Sequence, residues 1–277
     1  MTTRPIKPSV RTALAALAAC LALPPGASAE DAKGPKPLRA LYITGGCCHD
    51  YNAQKKIIPE GVSSRAKVEW KVVQEGGSST NHRVSLYEQP GWADGYDVVV
   101  HNECFADVTD PAFIRNITEA HRKGTPAVVV HCSMHSYRDL KTDEYRELLG
   151  VTTRSHGPQH PLDVKNLQPE HPIMKGFPAT WTTGKEELYA ILKVWPGTTP
   201  LAQAYALDNK KDHAVIWEHT YGKGRVFGTT LAHNDATMSD PVYLDMFTRG
   251  LLWACGKLEK DGTPAPGYAA QAVAKAE

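Results

Sequence analysis

The sequence predicts an α/β protein built on a parallel β-sheet with helices on both faces, extended by further strands from the second half of the chain. Three observations predict it. Residues 38–44, 97–101 and 126–131 are nearly continuous apolar runs, the pattern of strands buried on both faces rather than one. Helical stretches alternate with these runs, the order that gives parallel pairing. The strands end in glycine or in short polar, histidine-bearing segments, and open parallel sheets bind ligands beyond those ends.

The elements follow in order. Leu38-Arg39-Ala40-Leu41-Tyr42-Ile43-Thr44 is a buried strand ending on Gly45-Gly46. A weak helical pattern over 54–65 is interrupted by Pro59. Residues 68–73 alternate as a second strand, and 74–95 form a long loop with Gly76-Gly77 and Pro90-Gly91. Asp97-Val98-Val99-Val100-His101 is the third strand. Asp110-Pro111 places a cap residue before a first-turn proline and starts a helix that runs to Lys123-Gly124. Residues 126–131 are the fourth strand, and 143–149 a short helix closed by Gly150. Residues 151–185, rich in Pro, Gly and His, read as an excursion with short strands. Three more strands follow near 199–206, 214–219 and 225–230. The closing helix covers 241–255, with Leu244, Phe247, Leu251 and Leu252 at helical spacing. Tyr221-Gly222-Lys223-Gly224-Arg225 is a hairpin turn, not a phosphate loop, because no Ser or Thr follows the lysine.

Within the 277 residues, 29 at the start read as an export signal: Arg4, Lys7 and Arg11, an apolar stretch over 12–23, and Ala27-Ser28-Ala29 as the cleavage site. Leu17-Ala18-Ala19-Cys20 offers a second reading, a lipoprotein box that would acylate Cys20. The expected organisation is a signal peptide over 1–29, a tether over 30–37, one domain over 38–256 and a flexible tail over 257–277. The expected location is periplasmic or secreted, with no transmembrane segment after the leader. Removing the leader takes three basic and no acidic residues from 31 Lys+Arg and 30 Asp+Glu, leaving 28 against 30. A near-neutral chain without a basic stripe argues against nucleic acid as a partner. No G-x-G-x-x-G follows the first strand, and neither nicotinamide nor flavin is expected.

The polar strand ends carry the chemistry. They are Cys47-Cys48-His49-Asp50, His101-Asn102-Glu103-Cys104, His131-Cys132-Ser133-Met134-His135-Ser136 and His233-Asn234-Asp235, with five of the twelve histidines among them. This clustering predicts one shared pocket. His49, Asp50, His131 and His233 are the candidates for proton transfer, since imidazole titrates near neutrality. His49, His131 and His233 are also candidate ligands for a divalent metal such as zinc. His135, Asn102, Glu103, Asn234 and Trp217 are candidates for substrate binding, and Trp181, Trp217 and Tyr189 could stack on sugar rings. Plainer readings stand beside these. Asp50 could cap a helix, His101 could end a buried strand bonded to backbone, and Glu103 could be a solvated loop carboxylate. Cys132 on a strand-to-helix turn could be a nucleophile or an inert buried thiol. Five cysteines follow the leader (Cys47, Cys48, Cys104, Cys132 and Cys255), an odd number that leaves at least one unpaired in an oxidising compartment. The neighbours Cys47 and Cys48 are not expected to bridge to each other.

Together these motifs resemble the ThuA-like (trehalose-utilisation) family. The resemblance rests on His49-Asp50, Val98-Val99-Val100-His101-Asn102, the 131–136 segment, His171-Pro172-Ile173 with Gly176, and Glu187-Leu188-Tyr189. It continues through Tyr221 to Phe227, Thr229-Thr230-Leu231-Ala232-His233 and Gly250-Leu251-Leu252-Trp253-Ala254, spanning roughly residues 38–256 in order. The resemblance implies a flavodoxin-like, class I glutamine amidotransferase-like fold and a link to disaccharides and keto-sugars. The chain departs from the family pattern in two places: it has Cys47-Cys48 where Gly usually precedes His-Asp, and Cys132 where Ala is common. The function expected is carbohydrate chemistry in a His-rich pocket by acid–base or metal-assisted means. The alternatives are a non-catalytic carbohydrate-binding protein of the envelope and a Cys132-dependent amidotransferase or hydrolase.

Overall fold

A computed structural model describes residues 1–3 and 34–270. The leader from residue 4 onward, Cys20, the tether up to residue 33 and the last seven residues lie outside the described residues. Residues 35–270 belong to one unit.

Four strands of the parallel part of the sheet come from the first half of the chain, three of them apolar runs. These are β1 (Leu38–Gly46), β2 (Val68–Gln74), β3 (Val98–Cys104) and β4 (Ala127–Val130), with α1 (Tyr51–Ser63) and α2 (Pro111–Arg122) between them. After α3 (Glu144–Leu149) the excursion supplies β5 (Val151–His156), β6 (His160–Asn166), β7 (Thr180–Glu186) and β8 (Tyr189–Val194). The chain closes with β9 (Thr198–Ala206), β10 (Lys211–Tyr221), β11 (Gly224–Thr229), α4 (Asp235–Ser239) and α5 (Pro241–Ala254). Nine strands make one sheet in the order β2-β1-β3-β4-β11-β10-β9-β6-β7, while β5 and β8 pair separately. The first five are parallel neighbours, and from β11 onward every pairing is antiparallel.

Alternation along the strands divides the core in two. Ala40 and Tyr42 pack with Ile58 and Val62 of α1 and Phe247 and Leu251 of α5. Leu41 and Ile43 point the other way, onto Phe113, Ile114 and Ile117 of α2 and Leu148 and Leu149 of α3. Caps mark the helix starts: Asp50 accepts from the Ala53 amide, and Asp110 from those of Ala112 and Phe113. Pro59 does not break α1, which runs through it. The residue whose carbonyl it orphans, Lys55, is only half-buried, so water can satisfy that group. Tyr221 pairs with Gly224 across the β10–β11 turn, as the hairpin reading requires.

Residues 257–270, read from sequence as part of a loose tail, instead return along β2. Ala269 bridges to Ala66, the Lys67 amide donates to the Tyr268 carbonyl, and the Ala270 amide donates to that of Arg65. Among the described residues no helix is long and apolar enough to cross a membrane.

Candidate functional site

Three strand ends converge. β1 leaves the sheet through Gly45 and Gly46 into Cys47-Cys48-His49, β4 passes directly into His131, and β11 leads through Leu231-Ala232 to His233. The ring centres of His49 and His131 are 4.8 Å apart, those of His49 and His233 4.9 Å, and those of His131 and His233 5.3 Å. One potential ligand atom from each lies within 4.8 Å of the others. The backbone bends hard to achieve this. Cys48, His131 and Ala232, each at or next to one of the three imidazoles, have φ of 84°, 40° and 77°. Such left-handed conformations cost a non-glycine residue roughly 1–2 kcal/mol and collect where function holds them in place.

Hydrogen bonds set the ring orientations. His131 Nδ1 donates to the Thr230 carbonyl (2.6 Å) and His49 Nδ1 to the His233 carbonyl (3.0 Å). Both Nε2 atoms are therefore left as lone-pair donors to a ligand. The Tyr189 hydroxyl lies 3.3 Å from His131 Nε2, as does His233 Nδ1. Glu187 completes the group: its Oε2 is 3.2 Å from His233 Nδ1, 3.7 Å from His131 Nε2 and 3.5 Å from His156 Nε2. Gln159 sits at the exposed rim, 2.9 Å from His233 Nε2 and 3.2 Å from Glu187. A cluster of three roughly parallel rings, His156, Tyr189 and His135, forms one wall, with Tyr189 and His135 4.1 Å apart and nearly parallel.

The electrostatics favour a neutral His49 beside an ionised carboxylate. Burial, reinforced by His131 and His233, pushes His49 down to about 3. Burial and then His131 push His135 down to about 3. Burial works against ionisation of Glu187, but its neighbours His131 and His233 outweigh it and hold the carboxyl well below its usual range. The hydrogen bond to Glu187 in turn raises His233. Away from the site, burial and the neighbouring His101 push His121 down to about 3. These shifts give a signed pH effect. His49, His121 and His135 are held neutral in the folded state but protonate near 6.5 when unfolded. The unfolded chain therefore binds more protons below that pH, and stability falls as pH drops from about 6.5 toward 3. His233 contributes with the opposite sign. Urea midpoints are expected to fall between pH 7 and pH 5, and less steeply in His135→Phe, which keeps the aromatic packing. Equal slopes in both proteins would contradict this account of His135.

Several residues singled out from sequence lie elsewhere. Asp50 is the α1 cap, and Asn234 caps α4 by accepting from the Thr237 amide (2.9 Å). Asn102 and Glu103 are not in an exit loop, because β3 runs on to Cys104. Asn102 is buried and donates to the Tyr42 hydroxyl and the Gln54 side chain. Glu103, fully buried on the opposite face, accepts from Tyr87 (2.8 Å) and lies 3.0 Å from His101 Nδ1. His101 Nε2 meets His121, so this network is interior. Trp217 is wholly buried, donating to the Leu149 carbonyl (2.8 Å), and Trp181 packs against Phe177. Of the three proposed stacking aromatics, Tyr189 alone is at the site. Cys132 is disulfide-bonded to Cys104 and has no free thiol for nucleophilic attack. Cys47 and Cys48, against expectation, are bonded to each other, the left-handed Cys48 backbone accommodating the bridge. Cys255 is the unpaired thiol among the described residues.

Sequence reading missed Glu187, Gln159 and His156. The first was visible as part of Glu187-Leu188-Tyr189 but carried no local sign of where it would fold. The other two come from the excursion.

Fold and site together define a class: a flavodoxin-like, glutamine amidotransferase-like α/β sheet that presents clustered imidazoles at the ends of its strands. Residues 59–254 match the ThuA family, described as trehalose utilisation, and the chain belongs to that family. A ThuA-like protein of Parabacteroides merdae aligns with a TM-score of 0.62 at 21% identity, over 85% of this chain and 98% of the other. One of Bacteroides uniformis aligns with a TM-score of 0.59 at 15% identity, over 83% and 96%. A cytoplasmic protein of Salmonella typhimurium aligns at 0.54 and 13% identity, over 78% and 99%. No curated protein matches the chain. Membership supports a role related to carbohydrate metabolism.

Proposed function

We propose that this is an exported carbohydrate-processing enzyme, acting on a disaccharide or keto-sugar, in which His49, His131 and His233 hold a divalent metal ion with Glu187 beside them. The observation that carries the reading is the gathering of one potential ligand atom from each of the three imidazoles within 4.8 Å of the others, with Nδ1 of both His49 and His131 bonded to a backbone carbonyl. Metal-binding histidines are oriented by the same kind of second hydrogen bond. Three imidazoles with a carboxylate suit zinc or a similar borderline ion. Bound there, the ion would polarise a sugar carbonyl or hydroxyl oxygen. Glu187, held ionised by its histidine neighbours, is the group to accept a proton from the substrate. Gln159 at the rim can bond a sugar hydroxyl, and the His135–Tyr189–His156 wall offers ring faces.

The test is zinc titration by calorimetry, with metal analysis of protein purified without chelator. Wild type is expected to take up about one ion per chain. His131→Ala and His233→Ala should each lose roughly 100-fold or more in affinity, beyond the range seen for second-layer partners. Metal-free protein that binds sugar equally well in both variants would remove the reading. Saturable sugar binding without turnover would instead leave a binding protein.

A further inference from the structure

Four cysteine sulfurs meet next to the histidines yet take no part in the chemistry above. Cys47–Cys48 and Cys104–Cys132 are both disulfides, and Cys47 Sγ lies 3.8 Å from Cys104 Sγ, in contact across the two bridges. Their access to solvent is unequal. Cys48 is exposed and Cys47 half-buried, whereas Cys104 and Cys132 are only 3% and 4% exposed. An external thiol can reach the outer bridge but not the inner one. Thiol–disulfide exchange proceeds by thiolate attack on a disulfide sulfur, so access and proximity decide its course.

We propose that the four cysteines form a two-step thiol–disulfide exchange centre that takes electrons from an external dithiol at Cys48 and delivers a thiol to Cys132. A thiolate of the dithiol attacks Cys48 Sγ, forming a mixed disulfide and expelling Cys47 as thiolate. Cys47 attacks the adjacent Cys104 Sγ, so that the Cys47–Cys104 bond forms as the Cys104–Cys132 bond breaks, with Cys132 leaving as thiolate. The second sulfur of the dithiol then attacks the mixed disulfide and releases Cys48. In sum the dithiol is oxidised to its disulfide, its two protons end on Cys48 and Cys132, and one protein disulfide remains, now Cys47–Cys104. Two electrons enter at the surface, and the thiol they generate stands beside His131. The contact between sulfurs and the burial of the inner pair carry this inference, which does not depend on metal binding.

Dithiothreitol is the probe. The native, aerobically purified protein is treated with one equivalent, alkylated and mapped by mass spectrometry. Alkylation is expected at Cys48 and Cys132, with a Cys47–Cys104 cross-linked peptide. In Cys47→Ala/Cys48→Ala the inner bridge should open at least tenfold more slowly in the folded protein, while opening normally in denaturant. Cys255 is an internal control, its thiol pushed up to about 12 chiefly by burial. The proposal is overturned if the inner bridge opens equally fast in the double variant. Release of Cys47 and Cys48 alone by limiting reductant, or full alkylation before any reductant is added, overturns it as well.

Discussion

Trp217→Ala is expected to cost about 3–5 kcal/mol of folding stability, the range for truncating a large buried aromatic, while leaving sugar and metal binding unaltered. The indole is fully buried in β10 and belongs to the core cluster of Leu148, Leu149 and Tyr221. It lies flush against Gly228 of β11, where a methyl group would overlap the ring. Truncation therefore opens a cavity at the seam between two paired strands. It also removes the hydrogen bond from Nε1 to the Leu149 carbonyl, 2.8 Å long, and an orphaned buried acceptor adds roughly 1–3 kcal/mol. Trp217→Phe separates the two contributions, retaining most of the volume but not the donor, and should lose about the latter amount. Urea unfolding followed by circular dichroism measures both. Should Trp217→Phe instead weaken sugar binding with its stability intact, the indole would have to be reassigned to the substrate.

Trp217 also shows which information a sequence holds. An aromatic near polar strand ends could face a ligand or the core, and only its partners on α3 and β11 decide. The histidines were legible for the opposite reason. Strand ends in a parallel sheet share one edge, so His49, His131 and His233 follow from where their apolar runs stop. The same reasoning misplaced Asn102 and Glu103, because β3 continues three residues beyond His101 and alternation then buries both. The partners that stabilise them, Gln54 on α1 and Tyr87 in the 74–95 loop, are distant in sequence. Glu187 was illegible because antiparallel pairing in the second half decides where the β7–β8 connection falls, and no apolar period encodes that. The disulfides were hidden in two ways. A positive φ at Cys48 cannot be read from its residue type, and the Cys104–Cys132 bridge depends on β3 and β4 being neighbours.

Gly46→Ala should be similarly damaging and should reach the site as well as the fold. Gly46 has φ of +100° and pairs with Cys104 across the β1–β3 ladder. A Cβ there would overlap the Cys104 carbonyl and lie against its Cα-flanking backbone atoms, which cannot swing aside as a flexible side chain does. Left-handed strain of about 1–2 kcal/mol adds to an overlap cost of about 1–3 kcal/mol. The two strands would have to part at the point where β1 aims Cys47, Cys48 and His49. Zinc affinity should therefore fall along with the urea midpoint, although no ligand has been changed. Gly77→Ala is the matched control: φ is also positive, +53°, but a Cβ there meets nothing within 4 Å, so it should lose only the strain. If the two substitutions cost the same, close approach of the β1 and β3 backbones does not set the position of His49, and the geometry of the imidazole cluster must be held from β4 and β11 alone.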